Sequence, residues 1–107
     1  MLNLTPHAIT IRRSSGEEIT LQPALLPARV KTTEQVDSIC PVAGVPIMRR
    51  VFGSVSGLPD ESVRCIVSAL VLAAVPGRRN VFAPDSGPTA IRNESGQVVA
   101  VTRLICA

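Results

Sequence analysis

One histidine, eight carboxylates, ten arginines and three cysteines are the side chains from which this chain would build acid–base, nucleophilic or anion-binding chemistry. His7 could serve as a general base, but no serine or cysteine beside it in sequence implies a catalytic triad. Coming just after Thr5-Pro6, it reads better as a residue that orders the start of the chain by hydrogen bonding. Among the carboxylates, Asp85 stands in the Pro/Gly-rich run Ala83-Pro84-Asp85-Ser86-Gly87-Pro88, where an Asx-type turn is the favoured reading. The others fall in expected turns. Arginines recur in pairs, Arg12-Arg13, Arg49-Arg50 and Arg78-Arg79. Arg78-Arg79 follows the Pro76-Gly77 stop and precedes Asn80, so Arg78, Arg79 and Arg92 would form an anion site if they converged, because guanidinium binds phosphate and carboxylate bidentately. A solvated basic rim is the competing reading. Asp85 and His7 complete the set of candidate binding residues.

Other chemistries lack their motifs. Cys40, Cys65 and Cys106 have no metal-ligand spacing, and one His adds no paired ligand, so no metal site is expected. Gly87 and Gly96 stand apart from any phosphate-binding loop pattern. No catalytic residue and no cofactor is expected, and the chain reads as a non-enzyme. Three thiols leave one unpaired if two bond, so a reduced, cytosolic setting is the simpler account. The opening residues Met1 to His7 lack the basic start and apolar centre of a signal peptide. The longest apolar run, Ala69 to Val75, is far too short for a membrane helix.

Composition limits what can hold such residues in place. A chain of 107 residues fits one domain, 1–107, with a core of its own. Two phenylalanines are its only aromatics, so the core must be built from Val, Ile, Leu and Ala. The near absence of stacking rings also argues against single-stranded nucleic acid as a partner, despite the net charge of +3.

The elements follow from pattern. His7–Arg12 and Glu18–Gln22 alternate apolar and polar residues around Arg13-Ser14-Ser15-Gly16-Glu17, which predicts a hairpin. Ala28–Thr32 predicts a short strand, and residues 33–44, broken by prolines and polar runs, predict a long mobile loop. Strand character returns over Val45–Val55, with Gly53 a candidate bulge. Val63–Val71 is apolar on both faces except at Arg64 and Ser68 and predicts a central strand. Leu72–Val75, stopped by Pro76-Gly77, predicts a brief covering helix. Asn80–Ala83 predicts a short strand or loop edge. Thr89–Arg92 and Gln97–Leu104 flank Asn93-Glu94-Ser95-Gly96 and predict a closing hairpin, its second strand interior, with Val99 and Val101 on one buried face. The expected fold is α+β: a mostly antiparallel sheet, two hairpins, one short helix packed on the sheet, and a mobile loop near 33–44.

Five blocks carry a resemblance: Asn3-Leu4-Thr5-Pro6-His7; Pro27-Ala28-Arg29-Val30; Phe52 to Pro59; Ile66 to Val71; and Ala83-Pro84-Asp85 continuing to Arg92 through Val99. In that order they resemble a family of small uncharacterised bacterial and phage or prophage proteins. Cys40 and Cys65 depart from its pattern. The resemblance implies no activity and no catalytic residue. It leads to the expectation of a phage-type accessory or binding protein in the cytoplasm, its partner a protein or a small anionic ligand. The alternative is a small-anion or nucleotide binder using the loop arginines.

Overall fold

The computed structural model describes residues 1–107. In chain order the elements are β1 (Leu2–Asn3), β2 (Ile9–Arg12), β3 (Glu18–Leu21), β4 (Arg29–Ile39), β5 (Pro46–Ser56), β6 (Cys65–Ile66), α1 (Ala69–Ala74), β7 (Val81–Pro84), β8 (Ile91–Arg92), β9 (Val98–Ala100) and β10 (Leu104–Ile105). This is an α+β fold: many short strands and one short helix.

A four-stranded sheet, ordered β1-β6-β7-β10, forms the centre. The β1–β6 and β6–β7 pairs are parallel and β7–β10 is antiparallel. The other three strand pairs are antiparallel hairpins, so the expectation of a mostly antiparallel sheet needs correcting at its centre. A parallel pair needs a crossover, and α1 supplies the one between β6 and β7. Cys65, Ile66, Val67, Val81 and Ala83 are fully buried there. With Leu4, Ala28, Val71 and Leu72 they make a core of aliphatic side chains and one thiol, without an aromatic ring.

The strand expected over Val63–Val71 ends much earlier. Ser68 takes an extended backbone, φ −66° and ψ 158°, and its Oγ accepts the Val71 N–H at 3.3 Å. That is an N-cap, and the strong helix formers Ala69, Leu70, Leu72, Ala73 and Ala74 continue from it. An apolar run buried on every side fits either structure by periodicity; the cap decides. Val75 closes the helix by donating its N–H to Leu72 O, just before Pro76-Gly77.

The segment 33–44 is not a mobile loop. β4 continues from Arg29 to Ile39 and pairs along its length with β5, and the turn between them occupies only residues 40–45. Polar residues break the alternation because both faces of a two-stranded ribbon meet water. Pro46 disturbs nothing, since it opens its strand.

The closing hairpin is shorter than expected and is bulged. Ile91 pairs with Ala100 and Arg92 with Val98, which leaves Val99 as the extra residue. β10 leaves this hairpin and pairs with β7 instead. Val99 is therefore 49% exposed, while Ala100 and Val101 are buried. The bulge moves the buried set by one residue. Val101 also bridges Ile11 in parallel, its N–H bonding Thr10 O and its O accepting from the Arg12 N–H, and this ties the two hairpins together.

Candidate functional site

The sequence-predicted residues are mostly occupied in holding the chain. Arg78 donates from Nε to Asn80 Oδ1 at 3.1 Å and from a terminal nitrogen to Pro59 O at 2.6 Å. Asn80 is buried, and its Nδ2 donates to Asp60 O and Val63 O. Together they pin residues 59–63 against the N-terminal end of β7. Arg92 donates to Gly96 O at 2.7 Å and Ser86 O at 2.9 Å, so it shares no partner with Arg78. Arg79 borders an open recess with Arg78, Phe82 and Cys106, and Arg92 does not line it.

Asp85 forms the Asx-type turn, its Oδ1 accepting the Gly87 N–H at 3.1 Å. Its Oδ2 accepts Arg103 Nε at 2.9 Å, and the second Arg103 bond, at 2.7 Å, comes from a terminal nitrogen. The Arg103 guanidinium, then the Gly87 N–H, hold this carboxyl below the usual carboxylate range. At His7 it is the backbone carbonyl, not the imidazole, that is engaged: it accepts from Asn3 Nδ2 at 2.8 Å and lies 2.9 Å from the Thr5 hydroxyl, while the residue itself is exposed. Burial pushes the Cys65 thiol up, opposed by the Arg78 charge. No three of the His, Cys, Asp and Glu side chains lie together as a metal-ligand set.

What stands out is the β4–β5 arm. Its strands are eleven residues each, and of their side chains Val30 and Val55 pack against the core. From Lys31 to Ile39 and from Pro41 to Arg50 every residue is exposed. The radius of gyration is 16.5 Å, against about 13 Å for a compact chain of this length. Opposed residues of an antiparallel pair share a face. The face that begins with Val30–Val55, packed on the core, continues through Thr32–Phe52, Glu34–Arg50, Val36–Met48 and Ile39–Pro46. Two bulges keep it in register. One lies at Gly53-Ser54, where a Cβ on Gly53 would sit 3.1 Å from Lys31 O. The other is at Asp37, which Arg49 holds by Nε at 3.0 Å. This face, apolar at Phe52, Val36, Met48, Ile39 and Pro46 and interrupted by Thr32 and the Glu34–Arg50 pair, runs out along an arm that nothing in the chain covers. Val36 is 61% and Ile39 57% exposed, and Val42, at the turn, is 95% exposed.

Sequence reasoning missed this surface because it assigned residues 33–44 to a loop. The signal was the reciprocal pattern of Val45–Val55, a long strand with no partner assigned to it. It also missed Asn3 and Asn80, whose buried amides are fully satisfied; a lone Asn gives no sequence signal of burial. Compared with protein-family models, curated protein sequences and solved structures, the chain has no significant match.

Proposed function

We propose that this chain is a non-enzymatic binding protein of phage or prophage type, acting in the cytoplasm, which docks through its β4–β5 arm. The observation that carries the reading is the arm's uncovered face, with Phe52, Val36, Met48 and Ile39 exposed on either side of the Glu34–Arg50 pair. An isolated two-stranded ribbon is marginal in water at best, and its open edges and apolar residues invite pairing, so an eleven-residue ribbon is best accounted for by a partner that covers it. The five-block family resemblance supports the phage-type assignment. The test is site-specific photo-cross-linking in the producing cell. A cross-linker at Val36 or Met48 is expected to give a discrete adduct and one at Glu94 none; arm positions that yield no adduct, or turnover by the purified protein, refute the reading.

A second reading, small-anion binding, draws on one observation: Arg79 borders the recess beside Phe82 and Cys106, and no side-chain bond or ion pair engages it. Binding there would rest on Arg79, since Arg78 and Arg92 are already committed. A thermal-shift screen with phosphate and nucleotides separates the two readings, since a ligand at 100 times its Kd stabilises by about 2.7 kcal/mol.

A further inference from the structure

The chain carries both halves of an apolar knob-and-hole contact, and neither half is filled. The knob is the arm's turn. From Ile39 to Ile47 the sequence is Ile-Cys-Pro-Val-Ala-Gly-Val-Pro-Ile, without one charge, and it presents Val42 at 95% exposure with Val45 at 53%. The hole is a recess of about 170 Å³ between β2, β7 and β9, lined by Ile9, Pro84, Val98, Val99 and Val101, with no charged residue in its wall. An apolar cavity of about 150 Å³ holds a benzene ring, and a valine isopropyl group is smaller. The arm spans about 36 Å at the usual rise per strand residue, and the exposure of Val42 shows that its own recess does not receive it.

We propose that the Val42 tip of the arm inserts into the recess between β2, β7 and β9 of a second copy of this chain. The inference rests on the reading of the arm as the docking element and adds the identity of the partner. Three observations select a second copy. Knob and hole belong to one sequence and are both unfilled. Both are uncharged, so insertion strips water from no ion, which is the costly part of burying polar surfaces. The accessible surface is 7288 Å², roughly 1,600 Å² more than the about 5,700 Å² of a folded monomer of this mass. That excess is about twice the 800 Å² each partner contributes to a standard interface. Because knob and hole are different patches, the contact is either exchanged reciprocally across a two-fold axis or propagated head to tail into a ring or a filament.

Sedimentation of the full-length protein over a range of concentrations tests this, using Val42→Asp and Val99→Asp. Both positions are exposed in the single chain, and circular dichroism melts confirm that each variant folds; Val98→Asp replaces Val99→Asp if it does not. The wild type is expected to form assemblies of two or more chains. Each variant alone should associate at least tenfold more weakly. An equimolar mixture should give a two-chain complex and nothing larger, because the intact tip of Val99→Asp fits the intact recess of Val42→Asp. A wild type that stays monomeric overturns the proposal, as does a mixture in which the two variants ignore each other. If the wild type associates, only Val42→Asp abolishes association and the mixture fails, the arm docks elsewhere: the second-copy recess is wrong while the arm reading stands. Arm adducts to a different protein, with a monomeric wild type, separate the two in the same way.

Discussion

Replacing Arg78 by Ala decides whether this residue braces the fold or serves as an anion ligand. The substitution removes two charge-assisted hydrogen bonds, to Asn80 Oδ1 and to Pro59 O. Hydrogen bonds to charged groups contribute about 1.5–3 kcal/mol each, and a buried acceptor left alone costs about 1–3 kcal/mol. Asn80 is only 5% exposed, so its Oδ1 gains little from water. The Arg78 side chain is 26% exposed, which lets solvent restore part of what Pro59 O loses. The Glu61 carboxylate, 3.8 Å away and 80% exposed, adds almost nothing. The expected loss is about 2–3 kcal/mol. In urea, with a slope of about 1–3 kcal/mol per molar, the midpoint should fall by roughly 1–2 M. Arg78→Lys should recover little of this, because an ammonium cannot reproduce two fixed guanidinium bonds. An anion site held mainly by charge would instead tolerate Lys. Stability losses below about 0.5 kcal/mol for Arg78→Ala, joined to loss of a phosphate-induced rise in Tm that Arg78→Lys retains, would falsify the bracing role.

The bulge at Val99 makes neighbouring valines unequal: Val101→Asp, at 3% exposure, is expected to cost several kcal/mol, whereas Val99→Asp should cost the folded monomer under about 0.5 kcal/mol. Equal losses in chemical denaturation would show that the bulge is misplaced. Asp85 gives a pH dependence whose sign is set by its lowered folded-state value: the stabilisation is fully present above about pH 4 and is lost as pH falls through the folded value. Melting curves from pH 7 downward should therefore show a shallower acid decline for Asp85→Asn than for the wild type; parallel declines refute the Arg103 pairing.

The parts of the fold legible in the sequence are those set by local chemistry. The alternation around Arg13–Glu17 corresponds to β2 and β3, paired from Ile9–Leu21 to Arg12–Glu18. The turn at Asn93–Gly96 shows in its residues, because Asn93 Oδ1 accepts the Ser95 and Gln97 N–H groups and Gly96 takes φ 82°. The helix stop at Pro76-Gly77 is equally local. What failed depends on distant partners. Parity along Gln97–Leu104 gave the wrong buried set because a bulge at Val99 and the departure of β10 to β7 are decided by pairing, not by composition. Arg78 and Arg92 carry the right chemistry for an anion site, yet backbone carbonyls at residues 59, 86 and 96 occupy them, and no spacing rule reveals a carbonyl acceptor.

The arm is the sharpest instance. Its polar residues, Lys31 to Gln35, look like a loop only if a strand is required to bury one face within its own domain. The two bulges show what this strand does instead. Along β4, Val30, Thr32, Glu34 and Val36 share a face by simple alternation, and without the extra residue at Asp37 Ile39 would point to the other side. On β5 the irregularity at Gly53-Ser54 likewise brings Phe52, Arg50, Met48 and Pro46 onto the face that Val55 begins. A connecting loop has no need of either device. An arm that carries one face of the core out to an uncharged tip does, since each irregularity costs ladder hydrogen bonding and the exposed Arg49–Asp37 pair offsets little of that within the chain. On the proposed docking reading, the compensating gain comes from a partner surface that covers the arm.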